Sequence, residues 1–546
     1  MRKTGAQAMA KALEIENVNR IFGYPGAAIC PFYNALLDSG IKHILTRHEQ
    51  GAAHAANGCA RVTGKTGVCV ATSGPGATNL ITGIATAYMD SIPIVAITGQ
   101  VPTNLIGRDV FQEADITGAT APFCKHNYLV KSVKDLPRIL KEAFHIASTG
   151  RPGPVLIDVP IDIQTSELNF KYPEEVDIRG YKPNYKGHPL QVRKVAKAIE
   201  KAKAPVICAG GGVISGRAGD ELLELVIRCN IPVVTTLMGI GAIPTDHEMC
   251  LGMLGSHGSY LANYAIQNAD LVIIMGARVG DRAMASANKI AERASIIHMD
   301  IDPAEIGKNI DVEIPVVGDV KAILQDLLKV VKKGDTYEWL QGIRKVRHEH
   351  AADINGTDGE IGQNEAVKPK FLLRMLSKIM EDDAVITTEV GQNQIWAANN
   401  LTIRKPGKFI TSGGLGTMGY GLPAAVGAKV GCPGRQVITI SGDGSFQMSL
   451  QELGTIKQHK LGIKIVIFNN ARLGMVRELQ KMKYCSRYSQ VSLEDNPDFV
   501  KLAYAYDING EKVTKNVEVE AALKRMLSDD KAFLLDCAVD PEEPTL

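Results

Sequence analysis

The chain has 546 residues, 45% of them hydrophobic and 22% charged, with a formal net charge of +2. At about 100–200 residues per domain, this length implies three domains with sizeable cores. The near-neutral balance offers no basic surface for nucleic acid, and no apolar run is long enough to span a bilayer, so neither partner is expected.

The N-terminal "MRKTGAQAMAKALEIENV" reads as an amphipathic helix and lacks the apolar core of a signal peptide. The ten cysteines are scattered without a CxxC, mostly inside apolar runs such as "GVCVAT" and "LLDCAV", where they act as small hydrophobes. A cytoplasmic protein with reduced thiols is expected. From there short apolar runs alternate with helical stretches: "TGVCVATSG", "PIVAITG" and "GPVLIDVP", then "APVICAGG", "IPVVTTL", "DLVIIMG" and "ASIIHMDID", then "AVITTEVG", "QVITISGDG" and "IKIVIFNN". Continuous apolar runs mark strands buried on both faces, hence parallel sheets covered by helices. The predicted fold is α/β, with three doubly wound parallel-sheet domains.

Two stretches break the alternation. Residues 164–189 are polar with prolines and tyrosines, and residues 332–370 are charged and contain glycines. Both read as surface linkers, giving predicted domains at 1–164, 187–333 and 368–546. His348 and His350 stand two apart in the second linker, a pattern better explained by a solvated helical face than by a metal site.

The outer thirds echo each other. "VCVATSGPGATNL" and "VITISGDGSFQMSL" both run strand, Ser-Gly-x-Gly, helix, a frame that suits an anion at a helix N-terminus. The variable position is Pro75 in one copy and Asp443 in the other, and only the acid ligates a cation. Gly442-Asp443-Gly444 ends one strand and Asn469-Asn470 ends the next. In a βαβ unit those ends are neighbours at the ligand-binding edge, where Asp443 and the Asn470 amide oxygen suit one hard cation such as Mg²⁺.

With "GYPGAAI", "TRHEQGAAHAANGCARVTGKTGV", "FQEADITGATAPFCKH", "GRPGPVLIDVP", "TLMGIGAIP", "EVGQNQIWAA" and "SGGLGTMGYGLPAA" in order, nearly the whole chain resembles the large catalytic subunit of acetohydroxyacid (acetolactate) synthase, within the thiamine diphosphate enzymes. The resemblance implies thiamine diphosphate, Mg²⁺ and FAD, and decarboxylation of pyruvate with transfer of the hydroxyethyl unit to a second 2-ketoacid, pyruvate or 2-ketobutyrate, in branched-chain amino acid biosynthesis. Glu49 matches the acid that activates the cofactor; a glutamate in this alanine-rich setting is expected to keep its proton. Met418 matches the residue that bends the cofactor, and Gln112 beside Phe111 a residue that orients substrate oxygens. The remaining thiamine diphosphate matches are Pro25, Gly26, Gly76, Asn79, Val390, Gly391, Gln392, Asn393, Gly416, Gly442, Asp443, Gly444, Ser445, Asn470, Gly474 and Met475, with Asp443, Asn470 and the Arg472 carbonyl on the metal. Asn393 stands where histidine is more usual. The family's site lies between subunits, so a homodimer or homotetramer is implied, and a small regulatory subunit is allowed.

In the middle third, "APVICAGGGVISG" lacks GxGxxG and by itself says only that a nucleotide fits. By resemblance the FAD positions are Arg151, Gly212, Thr236, Leu237, Met238, Gly239, Gly255, His257, Gly276, Arg278, Asp300, Ile301, Asp319 and Val320. Three pocket positions depart from the family pattern: Ile161 replaces a lysine, Ser256 a methionine and Leu479 a tryptophan, while Arg282 keeps its arginine. The rival functions are another thiamine diphosphate enzyme (an FAD-dependent pyruvate oxidase, a simple 2-ketoacid decarboxylase or a fermentative acetolactate synthase) and a catalytically silent homologue serving as scaffold.

Overall fold

The computed structural model describes residues 2–284, 287–350, 362 and 364–546. Three six-stranded sheets follow one another along the chain. The first has the strand order Lys42–Leu45, Arg20–Gly23, Gly67–Ala71, Ile94–Gln100, Pro154–Pro160, His126–Leu129, all parallel. The second runs Cys250–Met253, Val233–Thr235, Pro205–Ala209, Leu271–Met275, Ser295–Asp300, Ile314–Val317, again parallel throughout. The third runs Phe409–Ile410, Val385–Thr388, Val437–Gly442, Ile463–Asn469, Phe533–Ala538, Asn509–Val513, also parallel. These are the apolar runs of the sequence. Ile94–Gln100 and Pro154–Pro160 are buried at every residue because helices cover both faces.

Each sheet winds outward one way, then crosses back and winds the other way. The direction reverses between Arg20–Gly23 and Gly67–Ala71, between Pro205–Ala209 and Leu271–Met275, and between Val385–Thr388 and Val437–Gly442. Beyond the carboxyl ends of such strand pairs the flanking connections leave in opposite directions and open a crevice. The Ser-Gly-x-Gly echo therefore has a geometric basis: both copies follow the same strand of the same winding.

The stretches read as linkers are partly built into domains. Strand Glu167–Asn169 pairs antiparallel with Arg2–Thr4. Gln164 is buried, donating from Nε2 to the carbonyls of Ala28 (2.8 Å) and Val159 (2.9 Å). Structure of the first domain thus continues to Asn169. In the second stretch, helix Tyr337–Glu349 lies on the central domain, with Ile343 buried and Trp339 Nε1 donating to the Pro205 carbonyl at 3.0 Å. His348 and His350 sit at its end, and among the described residues no group of three or more His, Cys, Asp or Glu stands together as a metal cluster.

The first and third domains pack against each other at a helix crossing. Helix Glu49–Thr63 lies on helix Gly421–Gly431, which is buried from Gly421 through Lys429. A Cβ on Gly58 would collide with the Ala424 carbonyl, and one on Gly427 with the Ala55 carbonyl, so the backbones touch where side chains normally intervene. Polar bonds lock the crossing: Tyr420 Oη donates to Asn57 Oδ1 (2.8 Å), Arg61 Nε donates to the same oxygen (2.9 Å), and Arg61 pairs with buried Asp90 (2.7 Å). Gly427→Ala is expected to cost about 1–3 kcal/mol by overpacking and to lower the melting temperature by several degrees. Gly434→Ala, where a Cβ meets nothing within 4 Å, is the control and should leave it unchanged; differential scanning calorimetry on both variants checks this.

Candidate functional site

At the crevice of the third sheet, strand Val385–Thr388 passes through Glu389 into Val390 and Gly391, and helix Gln392–Asn400 begins. The neighbouring strand ends at Gly442, and helix Asp443–Gln447 begins. Two helix starts therefore face one crevice, with unsatisfied N–H groups turned toward it. A Cβ on Gly442 would lie 3.0 Å from Asn393 Nδ2, so the amide nitrogen stands directly over bare backbone. Asn393 Oδ1 is buried without a partner among the described residues. The Asn393 Nδ2 over bare backbone and the two helix starts form a cradle whose donors are of the kind an anion such as a diphosphate takes.

Asp443 is 2% exposed, and its Oδ2 accepts from Asn496 Nδ2 at 2.6 Å. Burial pushes its carboxyl up to about 6, against that bond and those from nearby backbone N–H groups. Asn470 donates from Nδ2 to Gln392 Oε1 at 3.0 Å, while its Oδ1 accepts from Arg472 N at 3.2 Å. The Arg472 guanidinium turns away to Ser492 (2.7 Å) and Glu494 (2.9 Å), leaving its main chain beside the crevice. A carboxylate, an amide oxygen and a main-chain carbonyl at adjacent strand ends are the oxygen chemistry that a hard divalent cation takes. Asn469 supports the turn: its Oδ1 accepts from Ala471 N (3.3 Å) and Asn496 Nδ2 (3.2 Å), and its Nδ2 donates to Asp536 Oδ1 (3.0 Å). Ser445 Oγ donates to the Gly442 carbonyl at 3.2 Å, and Met475 follows Gly474 at the start of helix Gly474–Lys483.

The loop with Gly416 and Met418 closes one side of this crevice. Thr417 is fixed by its N–H to Ser412 Oγ (3.0 Å) and by its hydroxyl to Thr86 Oγ1 (2.8 Å). The amides of Gly413 and Gly414 donate to Asp90 at 3.4 and 2.7 Å. Glu389 is fully buried; burial raises its carboxyl to about 7, against four backbone N–H bonds that lower it.

At the equivalent crevice of the first sheet, Glu49 heads helix Glu49–Thr63. Its Oε2 accepts from Asn79 Nδ2 at 3.0 Å. A Cβ on Gly76 would lie 3.3 Å from Oε1, so that oxygen faces open backbone. The turn before Glu49 is held from the third domain by buried Glu452, which accepts from Arg47 N at 3.0 Å. The Pro25–Gly26 loop is pinned where Ala28 N donates to Thr72 Oγ1 at 3.2 Å. Gln112 sits against the Gly74 turn with φ of +57°, a strained conformation for a non-glycine residue, while neighbouring Phe111 is 87% exposed. Among the described residues, no hydrogen bond joins Glu49 to the Asp443 crevice.

The middle sheet repeats the theme. Gly212 N donates to the Gly276 carbonyl at 2.9 Å across its crevice, and the Thr236–Gly239 turn, a short 3₁₀ segment, starts with Thr236 N bonded to the Ala209 carbonyl at 3.0 Å. Gly255 is held by Asn263 through two bonds, at 3.1 and 3.0 Å, and the His257 carbonyl accepts from Asn399. Asp300, followed by Ile301, is buried and raised to about 6 by that burial. Asp319 caps the helix that starts at Val320, accepting from Ala322 N. Arg278 is half-buried, burial lowers its pKa, and among the described residues its guanidinium has no hydrogen bond or ion pair. An unpaired guanidinium at a crevice with a buried acid suits a nucleotide pyrophosphate and ribose. Arg151 joins from the first domain, bonded to Glu305 (2.6 Å), Asp302 (3.2 Å) and Ser91 (2.9 Å).

The four pocket positions are less assembled. Ser256 N donates to the Arg282 carbonyl at 3.1 Å, but the Arg282 side chain is 84% exposed. Ile161 starts helix Ile161–Thr165, and Leu479 lies on the exposed face of helix Gly474–Lys483. Asn496, Glu389 and Glu478 were absent from the sequence reading. Glu478 is contacted by Gln392 Nε2 (3.0 Å), Thr545 N (2.8 Å) and Thr545 Oγ1 (2.5 Å). Of the three, Glu389 left a signal, an acid ending the apolar strand "AVITTE".

Known proteins align with all three domains. Residues 3–119 match the thiamine pyrophosphate enzyme N-terminal TPP binding domain, 192–327 the central domain and 389–537 the C-terminal TPP binding domain. A probable acetolactate synthase large subunit of Methanocaldococcus jannaschii is 50% identical over 99% of this chain and 92% of its own. The acetolactate synthase isozyme 2 large subunit of Escherichia coli is 47% identical over 99% and 96%, and an acetolactate synthase large subunit of Corynebacterium glutamicum 46% over 98% and 87%. Matched in all three domains and along nearly its full length, the chain belongs to the acetolactate synthase large subunits of the thiamine pyrophosphate enzyme family.

Proposed function

We infer that this chain is the catalytic subunit that makes acetolactate: it decarboxylates pyruvate and joins the remaining two-carbon unit to a second 2-ketoacid. The observation that carries this reading is the pairing of two like-wound crevices, one with a donor cradle and buried Asp443, the other with Glu49 fixed by Asn79. Thiamine diphosphate, when bound, supplies the electron sink that accepts the pair left as carbon dioxide departs.

The chain's own residues do the rest. Asn393, Gly442 and the two helix starts would hold the diphosphate, and Asp443, Asn470 and the Arg472 carbonyl would hold Mg²⁺. Asn79 occupies Glu49 Oε2 and leaves Oε1, over Gly76, to exchange a proton with a ring nitrogen. Met418 sets the cofactor's bend, and Gln112, held in its strained turn, orients substrate oxygens. As in the family this chain resembles, the Glu49 of one copy would stand over the Asp443 crevice of another, in a homodimer or homotetramer, with a small regulatory subunit as an optional partner. FAD would lie along the middle crevice as a structural group, a reading supported by Arg278, without an ion pair among the described residues, and by buried Asp300. The setting is cytoplasmic branched-chain amino acid biosynthesis.

With Leu479, Ile161 and Ser256 in place of tryptophan, lysine and methionine, preference for 2-ketobutyrate over pyruvate as acceptor is weakened. Purified protein supplied with pyruvate, thiamine diphosphate, Mg²⁺ and FAD should yield acetolactate, read as acetoin colour after acid treatment, without oxygen uptake at an electrode. Oxygen consumption in step with pyruvate loss would instead establish the oxidase. Glu49→Gln should lower kcat by about 10²–10⁴-fold, as expected for loss of a positioned acid.

Competition between the two acceptors checks the pocket. Leu479→Trp should raise the acetohydroxybutyrate share, and a wild-type product ratio already strongly favouring acetohydroxybutyrate would sink the weakened-preference reading. Asp443→Asn removes a charge that burial disfavours, so the cofactor-free variant should melt no lower than wild type while its Mg²⁺-dependent thiamine diphosphate affinity falls at least about tenfold, measured by titration calorimetry.

A further inference from the structure

Glu389 is the residue through which the diphosphate-side loop and the Met418 loop touch. Its main chain leaves strand Val385–Thr388, its N–H donating to the Ile440 carbonyl at 2.8 Å, and runs directly into Val390, Gly391, Gln392 and Asn393. Its side chain goes the other way. Oε2 accepts from the N–H groups of Gly419 (2.7 Å) and Tyr420 (3.1 Å), and Oε1 from those of Gly421 (2.8 Å) and Leu422 (3.2 Å). The carboxylate thus takes up the orphan donors at the start of helix Gly421–Gly431, immediately after Met418. A Cβ on Gly421 would come within 2.7 Å of Glu389 N, so the two segments are in backbone contact as well.

We propose that Glu389 is a positioning residue for the reaction: its four-amide clamp sets the loop bearing Gly416 and Met418 against the loop bearing Val390–Asn393, and so fixes the distance between the two sides of the cofactor pocket. This rests on the thiamine diphosphate reading of the crevice. Four ordered N–H donors on two carboxylate oxygens, rather than a water shell, are what make the spacing rigid; an amide in place of the carboxylate keeps one acceptor atom and turns an N–H₂ toward two of the four donors. Glu389 itself touches no reacting atom, since it is fully enclosed by its own partners.

The decisive comparison is wild type, Glu389→Gln and Glu389→Asp. Amide hydrogen exchange of the cofactor-free proteins tests the clamp alone, and Glu389→Gln should lose protection at residues 419–422. Thiamine diphosphate with Mg²⁺ should then bind Glu389→Gln roughly tenfold more weakly by calorimetry, and kcat should fall about a hundredfold while the pyruvate KM stays within about threefold, the signature of lost positioning rather than lost substrate binding. Glu389→Asp keeps the charge and should recover at least about tenfold of that kcat. A folded Glu389→Gln with wild-type exchange at 419–422, or with wild-type kcat and cofactor affinity, overturns the proposal. Should Glu389→Gln fail to fold, Glu389→Asp decides, since exchange and kcat both unchanged from wild type would overturn it equally. Wild-type protein that binds no thiamine diphosphate would remove the cofactor reading, while the exchange result would still report on the clamp.

Discussion

The backbone contact between helix Glu49–Thr63 and helix Gly421–Gly431 is the constraint on which the rest of the molecule hangs. A crossing this close requires a seam without side chains, and Ala55, Gly58, Ala424 and Gly427 supply it. Each helix begins at chemistry: one at Glu49, the other just past Met418. The seam therefore fixes where two crevices, on two sheets, lie relative to each other. Dispersion across it is individually small, but the packing leaves no room to slide, so the two helix starts move together or not at all.

Buried carboxylates do the fine adjustment around that seam. Asp90 is held by Arg61 and by the Gly414 amide, Glu452 by Arg47 N and Thr455 Oγ1, and Glu389 by four amides. Each takes at least one donor from a segment distant in sequence, which is how a buried charge persists at all. Asp443, held by Asn496 and by backbone N–H groups, likewise has its pKa driven upward by burial, and unlike Glu389 it stands at a strand end beside the crevice.

Most of this was legible in the chain because it is local. Apolar runs of strand length, the Ser-Gly-x-Gly turns and the Asn469-Asn470 strand end report their own backbone geometry, and the sheets contain them at matching positions. What stayed hidden depends on distant partners. Strand Glu167–Asn169 is polar and short, and it forms because Arg2–Thr4 lies beside it. Helix Tyr337–Glu349 looks solvated until Trp339 and Ile343 find the central domain. Asn496 lies between charged residues in a loop with no periodicity to flag it. Glu389 was readable by the same logic that singled out Asn470, a polar residue ending a buried strand, yet only its contact with residues 419–422 shows what it holds.

Gln392 connects the helix that carries Leu479 to the cradle. Its Oε1 receives Asn470, while its Nε2 donates to Glu478 and to the Glu543 carbonyl. Glu478 is the residue before Leu479, and it also holds Thr545 near the chain's C-terminus. Trp396 Nε1 donates to the Pro544 carbonyl, and Lys368 pairs with Glu543 at 2.9 Å, so the tail is fastened on both sides. The helix that presents Leu479 has no buried residue of its own. Its placement therefore derives from these polar ties rather than from a core. Leu479 is thus carried on a helix whose Glu478 is tied to Gln392, the residue that bonds Asn470, and a leucine at this position leaves those ties intact.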